Sequence, residues 1–371
     1  MAFMEHNRIR ALVVDDTALF RKILTDALHA IPGVEVVGTA HNGREALAMM
    51  TSLKPDIATL DIEMPEMNGI EVLEALKGKR SETVIIVVST LTRQGSELAL
   101  RALELGAFDF IAKPQTGTLT ENREAIGIAL TPLVQTLARR KEIKDILITG
   151  APDRRNPHAT TSVIPKNNLF SPIHALPPKG NSEIVAIALS TGGPNALALL
   201  LPAFPADFAV PILIVQHMPP VFTASLAHIL NEKSALHVKE AADGDSLLPG
   251  YALIAPGGKQ MKVATKSDGI TKIIRITDDP PENSCRPAAD YLFRSIARHY
   301  PGRATGVIMT GMGTDGFEGL QLMRAGGSFV IAQDENSCVV YGMPKAPTEK
   351  GIANIVSSLA NMAQQIIKTV R

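Results

Sequence analysis

Ile184-Val185-Ala186-Ile187-Ala188-Leu189-Ser190-Thr191-Gly192-Gly193-Pro194 runs from six apolar residues into a serine and a glycine-rich turn. An unbroken apolar run of that length suits a strand buried on both faces, the kind found in parallel sheets. Two later stretches read the same way. Ile212-Leu213-Ile214-Val215-Gln216 precedes His217, and Thr305-Gly306-Val307-Ile308-Met309-Thr310 leads into the turn that holds Asp315. A parallel sheet gathers the carboxyl ends of its strands along one edge, where α/β proteins build their sites. A serine, a histidine and an aspartate delivered there are the parts of an acyl-transfer triad. The order Ser, His, Asp differs from the Ser, Asp, His order of α/β-hydrolases, but a triad is defined by geometry rather than order.

The rest of the chain sets bounds. Its 371 residues are too many for one ordinary domain and suggest two, with 45% apolar residues to fill the cores. Lys+Arg and Asp+Glu number 37 each, a neutral balance that argues against a nucleic-acid or membrane partner held by bulk charge. The two cysteines, Cys285 and Cys338, make no disulfide scaffold and read as incidental thiols, since neither has a base beside it in sequence. The first residues lack the apolar core of a signal sequence, and no apolar run reaches the length of a membrane span. A cytoplasmic protein, not membrane-embedded, is expected.

Residues 9–145 alternate apolar runs with helix-like stretches. The runs are Ile9–Val14, Val34–Gly38, Asp56–Leu60, Val84–Val88 and Phe108–Ala112, with helices expected near 17–30, 43–53, 69–77, 95–105 and 121–145. Such an alternation implies a doubly wound parallel sheet. Asp15-Asp16, Asp61, Ser89-Thr90 and Lys113-Pro114 follow the first, third, fourth and fifth runs, so all fall at one sheet edge. Crowded carboxylates there call for a cation, and all-oxygen ligation suits Mg²⁺. A carboxylate between Mg²⁺ and Lys113 is placed to accept a phosphoryl group. Leu60-Asp61-Ile62-Glu63-Met64-Pro65-Glu66-Met67-Asn68-Gly69 together with Ala112-Lys113-Pro114 resembles the receiver domains of two-component response regulators. The resemblance implies a flavodoxin-like fold with Asp61 as phosphoacceptor. It implies Asp15 and Asp16 as Mg²⁺ ligands with Asp61, and Glu63 contributing a backbone carbonyl. It also implies Ser89, Phe110 and Lys113 as the groups that report phosphorylation.

Residues 150–181 carry six prolines among Asn, Ser and Thr and read as an interdomain linker; from Glu183 the strand-helix alternation is expected to resume to the end. The expected domains are a receiver over 1–125, a helical and Pro-rich linker over 126–182, and a catalytic domain over 183–371. In the last of these Ser190 is the candidate nucleophile, His217 the general base and then acid, and Asp315 the carboxylate that fixes the histidine. Helix N-terminal and turn N–H groups, at Thr191 and Met312, are the candidate oxyanion donors.

Ser190-Thr191-Gly192-Gly193-Pro194, Gln216-His217-Met218-Pro219, Ala255-Pro256-Gly257-Gly258, Thr310-Gly311-Met312-Gly313-Thr314-Asp315-Gly316 and Tyr341-Gly342-Met343-Pro344 together resemble the CheB family of chemotaxis protein-glutamate methylesterases. The resemblance implies a Rossmann-like doubly wound esterase domain with Ser190, His217 and Asp315 as its triad and no cofactor of its own. It implies demethylation of glutamate methyl esters, and deamidation of glutamines, on methyl-accepting chemoreceptors, with a chemotaxis histidine kinase as phosphodonor. Two departures stand out: Lys259-Gln260 follow the Ala-Pro-Gly-Gly run, and Cys285 precedes Arg286-Pro287, where the family often shows a histidine at each. Rival readings are a phosphorylation-driven binding regulator with a silent hydrolase domain and a DNA-binding regulator. The intact Ser/His/Asp set disfavours the first, and the neutral back half lacks the basic recognition helix the second requires.

Overall fold

The computed structural model describes residues 8–78, 82–149 and 180–370. The Pro-rich part of the expected linker, 150–179, lies outside them. Two α/β units are seen. In the first, strands β1 (Ile9–Val14), β2 (Val34–Ala40), β3 (Ile57–Asp61), β4 (Val84–Ser89) and β5 (Asp109–Ala112) alternate with helices α1 (Ala18–His29), α2 (Gly43–Leu53), α3 (Gly69–Leu76), α4 (Arg93–Glu104) and α5 (Leu119–Thr149). The sheet is parallel throughout in the order β2-β1-β3-β4-β5. That order reverses direction between β1 and β3, which opens a crevice above Asp15 and Asp61. Asn42 and Asn68 start α2 and α3 by accepting the backbone N–H three residues on, each such cap being worth about 1 kcal/mol.

α5 is longer than the sequence suggests, and it crosses the expected boundary at 125. Ile126, Leu130, Leu133, Val134 and Leu137 repeat at helical spacing and pack with Leu24, Leu28 and Ile111 in the first unit's core. Residues 126–137 of the expected linker are therefore laid along the receiver.

In the second unit β6 (Ile184–Leu189), α6 (Gly193–Leu200), β7 (Ile212–Gln216) and α7 (Phe222–Lys233) follow the expected alternation. It then breaks. β8 (His237–Glu240), β9 (Tyr251–Ile254), β10 (Gln260–Thr265) and β11 (Lys272–Thr277) come in succession without an intervening α-helix, and β10 and β11 pair antiparallel. The reason is local: Met261, Val263 and Ile274 point inward under α8 (Ala289–His299), while Ser267-Asp268-Gly269 turns the chain, so the pair folds as a hairpin flap rather than as strand and helix. The alternation returns with β12 (Ala304–Ile308), α9 (Phe317–Ala325), β13 (Phe329–Gln333), α10 (Lys345–Glu349), β14 (Ile355–Ser357) and α11 (Leu359–Thr369). The main sheet is parallel in the order β14-β13-β12-β6-β7-β9-β8, and it reverses between β6 and β12. Ser190 and Asp315 follow those two strands, and His217 follows the next.

Candidate active site

The first unit's site is built on a buried lysine. Lys113 Nζ lies 2.7 Å from Asp61 Oδ2 and 2.8 Å from Asp15 Oδ2. Burial pushes the Asp61 carboxyl up, Lys113 pulls it down, Asp15 raises it again, and the outcome is a value of about 6. Burial works against the Lys113 ammonium, but the two carboxylates outweigh it and raise its pKa. Asp15 Oδ2 is buried and is met by the Lys113 ammonium at 2.8 Å. Asp15, Asp16 and Asp61 bring carboxylate oxygens within 4.8 Å of one another. A hard, all-oxygen set of three clustered carboxylates fits Mg²⁺. Glu63 lies beside this group, its N–H 3.4 Å from Asp61 Oδ1. Ser89 points away from Asp61: its hydroxyl donates to the Gly95 carbonyl at 2.8 Å, inside the first turn of α4.

In the second unit Asp315 is the most constrained member. Its Oδ2 accepts from the Ala289 N–H at 2.6 Å, and its Oδ1 accepts from Asn283 Nδ2 at 2.9 Å and the Asp290 N–H at 3.1 Å. The start of α8 thus aims free N–H groups at a buried carboxylate. Asp315 Oδ2 lies 2.8 Å from His217 Nε2. That leaves Nδ1 as the imidazole nitrogen open to chemistry. Cys285 Sγ sits 3.7 Å from that Nδ1. Burial alone would lower the pKa of His217; Asp315 and Cys285 together overcome this and push it up to about 9. Cys285 therefore does have a base beside it, contrary to the sequence reading. The signal was the departure at that position, but the contact joins residues 68 apart in sequence and depends on the fold.

Ser190 reaches the same cavity as His217, though among the described residues no hydrogen bond joins its hydroxyl to the imidazole. Its backbone is tightly held. The Ser190 N–H donates to the Thr310 carbonyl at 3.0 Å, and its carbonyl accepts from the Gly193 N–H and from Gln216 Nε2. Glycine is required at two neighbours. A Cβ on Gly193 would lie 1.8 Å from Gln216 Oε1, and one on Gly311 would lie 2.8 Å from Ser190 Cβ. Thr191 and Met312 also line the cavity, and among the described residues their N–H groups donate to no other group.

The cavity, about 370 Å³, has walls from both units. Ser190, Thr191, His217 and Met312 form one side, and Asp109, Phe110, Ala129 and Leu133 of β5 and α5 form the other. The contact continues along α4. Ser96 and Ser225 hydroxyls meet at 2.6 Å, Asn195 Nδ2 donates to the Leu103 carbonyl at 3.0 Å, and Lys233 pairs with Glu104. Asp109 faces Thr191 across the joint, where burial pushes its carboxyl up to about 6 against the pull of the Phe110 N–H and the Thr191 hydroxyl.

A phosphoacceptor-type domain seated on the strand-end site of an α/β domain defines a response regulator with an enzymatic output. Sequence comparisons agree on both halves. The response regulator receiver domain model matches residues 11–123 and the CheB methylesterase model residues 185–366. The chain is 52% identical to the protein-glutamate methylesterase/protein-glutamine glutaminase of Desulfotalea psychrophila over 98% of its own length and 99% of that protein. It is 40% identical to the protein of the same name from Bacillus subtilis over 98% and 99%. The crystal structure of the Thermotoga maritima CheB methylesterase catalytic domain is 40% identical, covering 51% of this chain and 99% of that one with a TM-score of 0.49. The chain belongs to the CheB family of protein-glutamate methylesterases.

Proposed function

We propose that the chain is a cytoplasmic, phosphorylation-activated hydrolase that removes methyl groups from glutamate methyl esters on chemoreceptors and deamidates receptor glutamines, using Ser190, His217 and Asp315. The observation that carries this is the shared cavity: the receiver's β5 and α5 cover the face where Ser190 and His217 meet. No helix among the described residues is long and apolar enough to cross a membrane. The receiver is assigned to 1–125, the connector to 126–182 and the catalytic domain to 183–371.

In its neutral form His217 takes the Ser190 proton on Nδ1 as Ser190 Oγ adds to the side-chain carbonyl of the methylated glutamate. The tetrahedral oxyanion is met by the Thr191 and Met312 N–H groups. Collapse expels methoxide, which takes the proton from His217 and leaves as methanol. Water, deprotonated by the same nitrogen, then hydrolyses the acyl-serine to free glutamate. With glutamine the first leaving group is ammonia and the product is the same. Asp315 holds the imidazole by Nε2 and stabilises its charged form.

Control begins at Asp61, with a chemotaxis histidine kinase as phosphodonor. Asp15, Asp16 and Asp61 carboxylates with the Glu63 carbonyl would hold Mg²⁺, which when bound neutralises charge on the transferred phosphoryl group. Lys113 contributes on the other side. A phosphoryl group on Asp61 competes for the Ser89 hydroxyl, now on Gly95. Its loss loosens the first turn of α4, which carries Ser96 to Ser225. Phe110 leaves the joint in the same step, and the cavity opens. Methanol release from a methylated receptor by the Ser190→Ala protein tests the assignment: background turnover is expected, and near-normal turnover removes Ser190 from the role.

A further inference from the structure

Cys285 and His217 form a pair whose spacing is that of two ligands on one metal ion. Zinc-bound sulfur and nitrogen lie about 2.3 Å and about 2.0–2.1 Å from the metal, so tetrahedral ligation sets them roughly 3.5 Å apart. The observed separation of Cys285 Sγ and His217 Nδ1 is 3.7 Å. A second observation points the same way. A metal-binding imidazole characteristically gives its other nitrogen to a carboxylate, which orients the ring and raises its basicity. His217 does so, with Nε2 on buried Asp315. The three side chains together place ligand-type atoms within 4.8 Å of one another.

The cysteine is also held in place. Glu282 and Cys285 exchange both backbone hydrogen bonds, at 3.0 and 2.8 Å, across Asn283 and Ser284, whose φ angles are 52° and 62°. This is the two-residue turn with both central residues left-handed. The Asn283 side chain bonds Asp315 and Asp290 at 2.9 Å each, tying the turn to the carboxylate behind the histidine. Sulfur and nitrogen are thus presented by one rigid assembly, and a metal would need little reorganisation to bind.

We propose that Cys285 Sγ and His217 Nδ1 bind Zn²⁺ or another thiophilic divalent cation, with Asp315 as the carboxylate behind the histidine and water completing the coordination. Binding displaces to solvent the proton that Cys285 Sγ and His217 Nδ1 share and leaves a thiolate on the metal. It occupies the nitrogen that takes the Ser190 proton, so the metal silences the esterase reversibly. The silencing rests on the role given to His217 above; the metal site does not.

The test uses the full chain and two probes, Co²⁺ followed optically and Zn²⁺ followed by methanol release. Co²⁺ is expected to give a near-ultraviolet thiolate-to-cobalt charge-transfer band that saturates at one equivalent and is displaced by Zn²⁺. The all-oxygen cluster at Asp61 cannot produce such a band. Cys285→Ser and Cys285→Ala should both abolish it, while Cys338→Ser keeps it. Asp315→Asn should weaken Co²⁺ binding roughly 10- to 100-fold, the usual effect of losing a partner behind a metal ligand. Zn²⁺ should inhibit methanol release, chelation should restore it, and Cys285→Ser should need at least tenfold more Zn²⁺ relative to its own metal-free rate. No band, or a band that survives both Cys285 substitutions, overturns the site. A Cys285-dependent band without inhibition overturns the silencing and leaves the esterase reading untouched.

Discussion

Phe110 and Phe222 lie face to face across the joint between the two domains, ring centroids 4.4 Å apart and planes 14° from parallel. Phe222 opens α7, directly after the loop that carries His217. Phe110 lies in β5, whose end presents Lys113 to Asp61. One ring pair thus connects the Asp61 cluster to the cavity that holds Ser190 and His217. Such a pair contributes about 0.5–1.5 kcal/mol beyond its buried area, enough to shift a docking equilibrium roughly two- to tenfold.

Phe110→Ala should therefore raise methanol release without phosphodonor by roughly two- to tenfold and shrink the further gain on phosphorylation. Unchanged basal turnover would separate the stack from the gate.

Gly311 packs against Ser190. A methyl group there would crowd Ser190 Cβ at 2.8 Å, Ser190 N at 2.9 Å and Met343 Sδ at 2.4 Å. Overpacking of this kind costs about 1–3 kcal/mol of stability, and misplacing a reacting group by about 1 Å costs on the order of 10²-fold in rate. Gly311→Ala should fold with a lowered Tm and lose activity to that extent; full activity at unchanged Tm would contradict the close packing.

Asp315 is bonded on both oxygens, so its amide can keep at most part of that set. Asp315→Asn should lower kcat by about 10³–10⁴ with little change in KM, as expected when the imidazole loses its orienting charge. A loss confined to KM would move Asp315 from the chemistry to substrate binding.

The strand-end residues were legible because their signal is local. Asp15, Asp61, Lys113, Ser190 and His217 each follow an apolar run, and the sheets deliver each to the expected edge. What sequence patterning missed depends on long-range packing. The β10–β11 flap breaks the strand-helix alternation, since an apolar run does not state what it pairs with. Cys285 follows that flap on a turn held by Asp315, so its place beside His217 follows from tertiary contacts alone. The receiver resemblance named Phe110, but its partners across the joint, and the parts of Ser96 and Asp109 in it, are silent in sequence, because surface residues of either domain alone carry no pattern naming a partner.

Asp109 is the group through which pH is expected to act on the joint. Burial raises its carboxyl pKa from 3.8 to about 6 where it faces Thr191; with that burial supplied by docking, the docked form holds more protons between those values. Docking is therefore strongest at the acid end, weakens as pH rises toward about 6, and is level above that. Asp109→Asn, which copies the neutral form, should dock more tightly than the parent at neutral pH. Its basal methanol release should fall below the parent's at pH 7.5, and the two should converge as pH drops below about 6. Taking the ratio of the two proteins cancels titration of His217, and a ratio constant with pH would exclude Asp109 from the joint's energetics.

In the proposed mechanism one chain holds an esterase at Ser190, His217 and Asp315 and opens it through Asp61. The direct measurement is methanol release from methylated receptor by the full chain, with and without acetyl phosphate and Mg²⁺, beside the Asp61→Asn protein. Slow release is expected, accelerated by phosphodonor and Mg²⁺ in the parent chain and unchanged by them in Asp61→Asn. Equal acceleration of both proteins, or none in the parent, would contradict the mechanism.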